Sequence, residues 1–155
     1  MERISYKEMP EGLLTGLLAS QNYVDNSGVD IKLLELLRMR VSHINNCAYC
    51  LDMHYKEGIE AGETPLRLIS VSAWRETSYY TPKEQAVLAF AETLTYMPQD
   101  HSSEGLHDEL LKYFSKHEIA LLTLAIIQIN SWNRLVRSFG TVAGNYQVKK
   151  KTQAA

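Results

Sequence analysis

Charge of either sign is scarcely in excess in this chain. Sixteen lysines and arginines stand against 18 aspartates and glutamates in 155 residues, a formal charge of −2. That balance lacks the basic field that nucleic-acid binding requires, so no nucleic-acid partner is expected. Long hydrophobic runs are missing too. The most apolar stretch, Ile119 to Ile129, is too short to span a bilayer, and no membrane association is expected. The opening MERISYKEMP has neither an apolar centre nor a small-residue cleavage pattern, which argues against a secretory signal and for a cytoplasmic protein. Period-2 strand patterning is almost absent, and there is no internal repeat, low-complexity segment or linker. Cysteine is scarce as well: only Cys47 and Cys50 occur, both inside one four-residue window. Random placement would give that spacing roughly one time in 80, and structural disulfides are rare in the cytoplasm.

What is present is ordinary globular material. Hydrophobic residues make up 45% and charged residues 22% of the chain, enough for one domain with its own core. A single domain over residues 1–155 is expected, with its core at about 8–146 and a polar, mobile tail at 147–155. The run Lys149, Lys150, Lys151 then reads as a solvated end.

Helical punctuation is frequent, and it predicts an all-α bundle of about six to eight helices. A first helix is expected from Pro10 to Asp25, with Leu13, Leu14, Leu17 and Leu18 on one side. Asp30 can cap a second that runs to Ile44. Asn46 is placed to cap a third, starting at Cys47 and ending near Gly62. Thr64 and Pro65 open a short fourth toward Trp74. Thr81 with Glu84, and Ser115 with Glu118, form capping boxes for helices carrying Phe90 and Leu94 and for a long one from Lys116 to Phe139. A further helix covers Glu104 to Phe114. The long helix is apolar on nearly every side, so it should be buried at the bundle centre or in a subunit interface.

The informative stretch is Cys47-Ala48-Tyr49-Cys50-Leu51-Asp52-Met53-His54. On a helix the two cysteines and His54 fall at i, i+3 and i+7 and return to nearly one face. Cysteines at i and i+3 lie within disulfide reach, and an imidazole four residues beyond Cys50 can exchange a proton with its sulfur. A helix start favours the Cys47 thiolate, and the histidine favours that of Cys50. Peroxide attack would give a sulfenic acid that the neighbouring thiol traps as a disulfide, and a thiol reductant would restore the dithiol. Zinc is a competing use of such a motif, but structural zinc draws on two separated knuckles. No second Cys/His pair exists; His43, His101, His107 and His117 are scattered and are read as surface or core residues.

Glu35 sits among Leu33, Leu34, Leu36 and Leu37. It is either a partly buried carboxyl suited to moving protons or one half of an exposed Glu35–Arg38 pair. Trp74, Tyr79 and Tyr80 could line a substrate entrance or simply pack.

Glu35 followed by Cys47-x-x-Cys50-x-x-x-His54 resembles the signature of the alkylhydroperoxidase D-like branch of the carboxymuconolactone decarboxylase family. Arg38-Met39-Arg40-Val41-Ser42, Ile44-Asn45-Asn46, Ala61-Gly62-Glu63-Thr64, Ala73-Trp74-Arg75-Glu76-Thr77 and Ile129-Asn130-Ser131-Trp132-Asn133-Arg134 are similar to flanking segments of single-domain members. The resemblance implies an all-helical homo-oligomer, often a trimer or hexamer, that reduces organic hydroperoxides or hydrogen peroxide without metal, flavin or haem. It implies that Cys50 attacks peroxide and Cys47 resolves, with His54 and Glu35 as proton relay. The reductant would be a thiol or dithiol, of lipoyl or thioredoxin-like type. Members of the branch often carry histidine between the cysteines where this chain has Tyr49, a poor shuttle at neutral pH. Two alternatives remain: a redox sensor or disulfide-exchange module, and a lactone decarboxylase, whose activity does not need the cysteine pair.

Overall fold

A computed structural model of the chain describes residues 2–99 and 104–148. His101 and the run Lys149 to Lys151, with the rest of the expected tail from 149 on, lie outside the described residues. Seven α-helices and no strand occur among the described residues: α1 (Thr15–Asp25), α2 (Ile31–Ile44), α3 (Ala48–Glu60), α4 (Pro65–Ser70), α5 (Pro82–Tyr96), α6 (Glu104–Leu111) and α7 (Lys116–Phe139). The all-α expectation holds.

Three of the expected caps are made, at Asp30, Thr81 and Ser115. Asp30 accepts from the Lys32 backbone N–H at 2.9 Å. In both capping boxes the glutamate reaches back to the cap N–H at 2.7 Å, for Thr81 by Glu84 and for Ser115 by Glu118. Each box satisfies donors that a helix start would otherwise leave orphaned. Boundaries moved where backbone geometry overrode pattern. Helix α1 starts at Thr15 rather than Pro10, because Gly12 takes φ +78° and turns the chain. The fourth helix stops at Ser70 and continues as a 3₁₀ turn, Val71–Glu76, with Ala73 at φ −118° outside helical geometry. Helix α6 ends at Leu111, short of Phe114.

Helix α2 is the centre of the bundle, packed against α3, α5 and α7. Leu33, Leu34, Leu37 and Val41 join Phe90, Leu122, Ile126 and Ile129 in the main core, while Leu36 and Met39 face Leu68, Val71, Trp74 and Leu88. Two apolar faces on one helix leave no side for solvent, so Glu35, Arg38 and Ser42 are buried with their neighbours. Helix α7 is less enclosed than its composition suggests. Ile119, Leu122, Ala125, Ile126 and Ile129 are buried, but Ile127 is 55% exposed. By length and composition α7 could cross a membrane, although half of its most apolar 18 residues are buried inside the bundle. Leu13 and Leu18 are likewise exposed instead of forming a core stripe.

Candidate active site

The turn between α2 and α3 sets the cysteines. Asn46 does not cap α3; it takes φ 50° in the left-handed region, where asparagine is tolerated, and Cys47 becomes the N-cap. The Cys47 N–H donates to the Ser42 carbonyl at 3.0 Å. Helix α7 pins this turn from the other side. The Asn45 side-chain amide donates to Asn130 Oδ1 at 2.9 Å and Asn133 Oδ1 at 2.8 Å, and Arg137 donates to the Asn45 carbonyl at 2.8 Å. Fully buried Asn133 in turn donates to Ser42 Oγ at 3.2 Å.

With Cys47 at the N-cap, Cys50 falls in the first turn of α3, so the helix terminus acts on both sulfurs. Cys47 and Cys50 are joined by a disulfide, their Cα atoms 5.3 Å apart. Both are buried, at 0% and 2% exposure, in an apolar collar of Tyr49, Trp132, Leu135 and Val136.

A chain of buried ionic contacts starts one helical turn beyond Cys50 and runs into the bundle. His54 Nδ1 lies 2.8 Å from Glu35 Oε2, and Arg38 Nη1 donates to Glu35 Oε1 at 2.7 Å. The other guanidinium nitrogen, Nη2, pairs with Asp25 of α1. The Glu35–Arg38 pair is therefore real but buried, with Glu35 only 1% exposed. Burial pushes the Glu35 carboxyl up, yet His54 and then Arg38 hold it on balance below its ordinary value. His54 Nε2 is buried and has no hydrogen-bond partner among the described residues. Since His54 follows Cys50 by one helical turn, this free nitrogen is the one available to the sulfur side.

The segment after α7 folds back over α3. Asp52 accepts from the Gly144 N–H at 2.9 Å, Lys56 donates to the Tyr146 carbonyl at 2.8 Å, and the Tyr146 hydroxyl donates to Glu57. Tyr146 also meets Tyr49 edge-on at 6.5 Å. Burial, then Tyr6 and Asp52, push the Tyr49 phenol up, which keeps it protonated and unsuited to shuttling near pH 7. A pocket of about 390 Å³ lies alongside, bordered by Cys47, Tyr49, Val136, Thr141 and two arginines, Arg3 and Arg137.

The structure thus joins Glu35 to His54 and Cys47 to Cys50, with His54 one helical turn beyond Cys50 on α3. Trp74 and Tyr80 lie elsewhere and pack: Trp74 donates from Nε1 to Glu92 at 2.8 Å, and Tyr80 donates to the Arg67 carbonyl. Tyr79 sits exposed beside Tyr80. His43 is half-buried, and His107 and His117 are exposed. Among the described residues no three His, Cys, Asp or Glu side chains gather as a metal site. Asp25, Asn133, Trp132 and Tyr146 were not legible as site residues. For Trp132 and Asn133 the signal was their place in the flanking segment Ile129–Arg134.

Comparison with known proteins finds relatives in sequence and in fold. The sequence model of the Carboxymuconolactone decarboxylase family matches residues 7–93. An uncharacterized protein of Bacillus subtilis (strain 168), YdfG, is 34% identical over 145 residues, covering 93% of this chain and 98% of the relative. A crystal structure of an Agrobacterium tumefaciens protein of unknown function, proposed to be the antioxidant defence protein AhpD, superposes with a TM-score of 0.89 at 32% identity. That match covers 94% of this chain and 100% of the other. The debrominase Bmp8 shares the fold, with a TM-score of 0.75 at 18% identity over 86% of this chain and 72% of its own.

Proposed function

Because this chain belongs to the carboxymuconolactone decarboxylase family, we propose that it is a thiol-dependent peroxidase that reduces organic hydroperoxides or hydrogen peroxide through the Cys47–Cys50 pair. The observation that carries this reading is the buried Glu35–His54 contact, made with His54 one turn beyond Cys50 and its Nε2 unpartnered. A carboxylate on Nδ1 orients the ring and fixes its tautomer, which is what a proton carrier next to a thiol needs.

The chemistry follows in three steps. His54 takes the Cys50 proton, and the thiolate attacks the terminal peroxide oxygen; the O–O bond breaks and an S–O bond forms. The leaving alkoxide takes a proton from the imidazolium and departs as alcohol, leaving Cys50 as a sulfenic acid. The Cys47 thiol then displaces hydroxide, which leaves as water with the Cys47 proton, and the disulfide forms. Two thiols of a lipoyl-type or thioredoxin-like reductant return the pair to the dithiol and are themselves oxidised to a disulfide. We read the chain as one cytoplasmic domain in a homo-oligomer, a trimer or hexamer, which light scattering on the purified protein would count.

The test is an intact mass of reduced protein before and after one equivalent of cumene hydroperoxide, with free thiols then blocked. A loss of about 2 Da with no blockable thiol is expected; two thiols that stay blockable would sink the reading. Burial of both cysteines favours one second reading, a redox sensor whose oxidation needs a local opening. Multiple turnover with a thiol reductant separates the two, since a sensor oxidises once and stops.

A further inference from the structure

We propose that Asp25 and Arg38 are positioning residues that set the proton affinity of the His54–Glu35 pair. Turnover consequences of this rest on the peroxidase reading; the electrostatic claim does not.

Arg38 is 3% exposed and divides its guanidinium between two carboxylates on different helices, Glu35 on α2 and Asp25 on α1. A planar fork offers each carboxylate its own nitrogen in a fixed geometry, which a single ammonium point charge does not. The charge count is then decisive. One guanidinium faces two carboxylates, so Asp25, Arg38 and Glu35 together hold a net charge of −1 when all are ionised. That surplus lies against His54 Nδ1 through Glu35 Oε2. It favours the imidazolium, the state that forms when His54 takes a thiol proton. Without Asp25 the guanidinium would belong to Glu35 alone, the group would be neutral, and the imidazolium would lose its support. Arg38 itself stays charged: burial opposes its charge, but Glu35 and Asp25 raise its pKa above the ordinary value. Asp25 is the one member reaching solvent, its side chain 30% exposed.

Other charged and titratable groups near the pair leave this balance intact. On α3, Asp52 is neutralised by Lys56 at 2.7 Å. Tyr146, from the segment after α7, bonds to Glu57, and burial and then Glu57 push its phenol up, so it stays protonated. Tyr49 is likewise held protonated. From α4 the approach is apolar, by Leu68 near Gly58 and the Glu35 Cβ. A buried ion pair need not add stability, so a tie between α1 and α2 is a weak explanation on its own.

The test uses the full-length reduced protein with isotope-labelled histidine. The His54 titration midpoint is read by NMR in the wild type, Asp25→Asn and Asp25→Glu. Asp25→Asn should lower it, and Asp25→Glu should restore it. The pH profile of iodoacetamide alkylation at Cys50 should move with it. An unmoved midpoint in a folded Asp25→Asn protein would overturn the proposal and leave Asp25–Arg38 as a structural tie. Asp25→Ser serves the same purpose should Asp25→Asn not fold. Neither readout needs peroxide, so a failure of peroxide turnover would strike the peroxidase reading and leave this inference standing.

Discussion

His54 and Glu35, 19 positions apart in sequence, meet at 2.8 Å between Nδ1 and Oε2, with both side chains buried. The contact makes Nδ1 the donor and leaves Nε2 as the basic nitrogen, so Glu35 selects the tautomer that can accept a thiol proton. Glu35→Gln removes that preference along with the charge. Disulfide formation with cumene hydroperoxide should slow about 100-fold or more at pH 7, the usual worth of a general base. Stopped-flow kinetics would settle it, and a change under threefold would argue that the relay is idle.

Acid stability should follow Glu35. Its folded pKa lies below the ordinary 4.5, so its ionised form is bound more tightly in the folded state than in the unfolded. The resulting stabilisation is complete above about pH 4.5 and disappears as pH falls through the lower folded value. Denaturation midpoints measured from pH 7 down to 3 should therefore fall in acid. Glu35→Gln should flatten that dependence while lowering stability at pH 7, because Arg38 loses its inner partner.

The two cysteines are expected to differ. In Cys47→Ser, peroxide should convert Cys50 to a sulfenic acid that dimedone labels, because no thiol remains to trap it. In Cys50→Ser, Cys47 should stay largely unlabelled, lacking a histidine one turn on. Equal labelling of both variants would contradict the assignment of Cys50 as the attacking sulfur.

Tyr49 occupies the position between the cysteines and is held protonated by burial. Tyr49→His would place a group that titrates near pH 6.5 beside both sulfurs. Peroxide consumption near neutral pH should rise. An unchanged rate would mean that His54 and Glu35 suffice.

Gly58 permits the close approach of α3 to the residues that hold Glu35. A Cβ there would lie 2.9 Å from Leu68 Cδ2 and 3.6 Å from the Glu35 Cβ. Gly58→Ala gains helix propensity but must displace Leu68, so a net loss of about 1 kcal/mol or more is expected, as in other overpacked cores. Thermal denaturation would show it, and a stabilised variant would refute the packing account.

Local chemistry was legible before any coordinates. Ser115 with Glu118, Thr81 with Glu84, and Asp30 announce helix starts because a cap satisfies its donors within four residues. The Cys47, Cys50 and His54 spacing places three side chains on one face by the helical repeat alone. The all-α class and the cysteine pair were thus local properties of the chain. Three matters were not. Whether Glu35 was buried or exposed depended on α2 having apolar neighbours on both sides, which a periodic pattern cannot report. The second partner of Arg38 was Asp25, on another helix. The lock on the Cys47 turn came from Asn130, Asn133 and Arg137, about 90 residues downstream. Helix starts and motif faces are set by bonds within a few residues of chain. The charge state of the site is set by desolvation and by ions brought from distant helices, and those exist only once the bundle has closed.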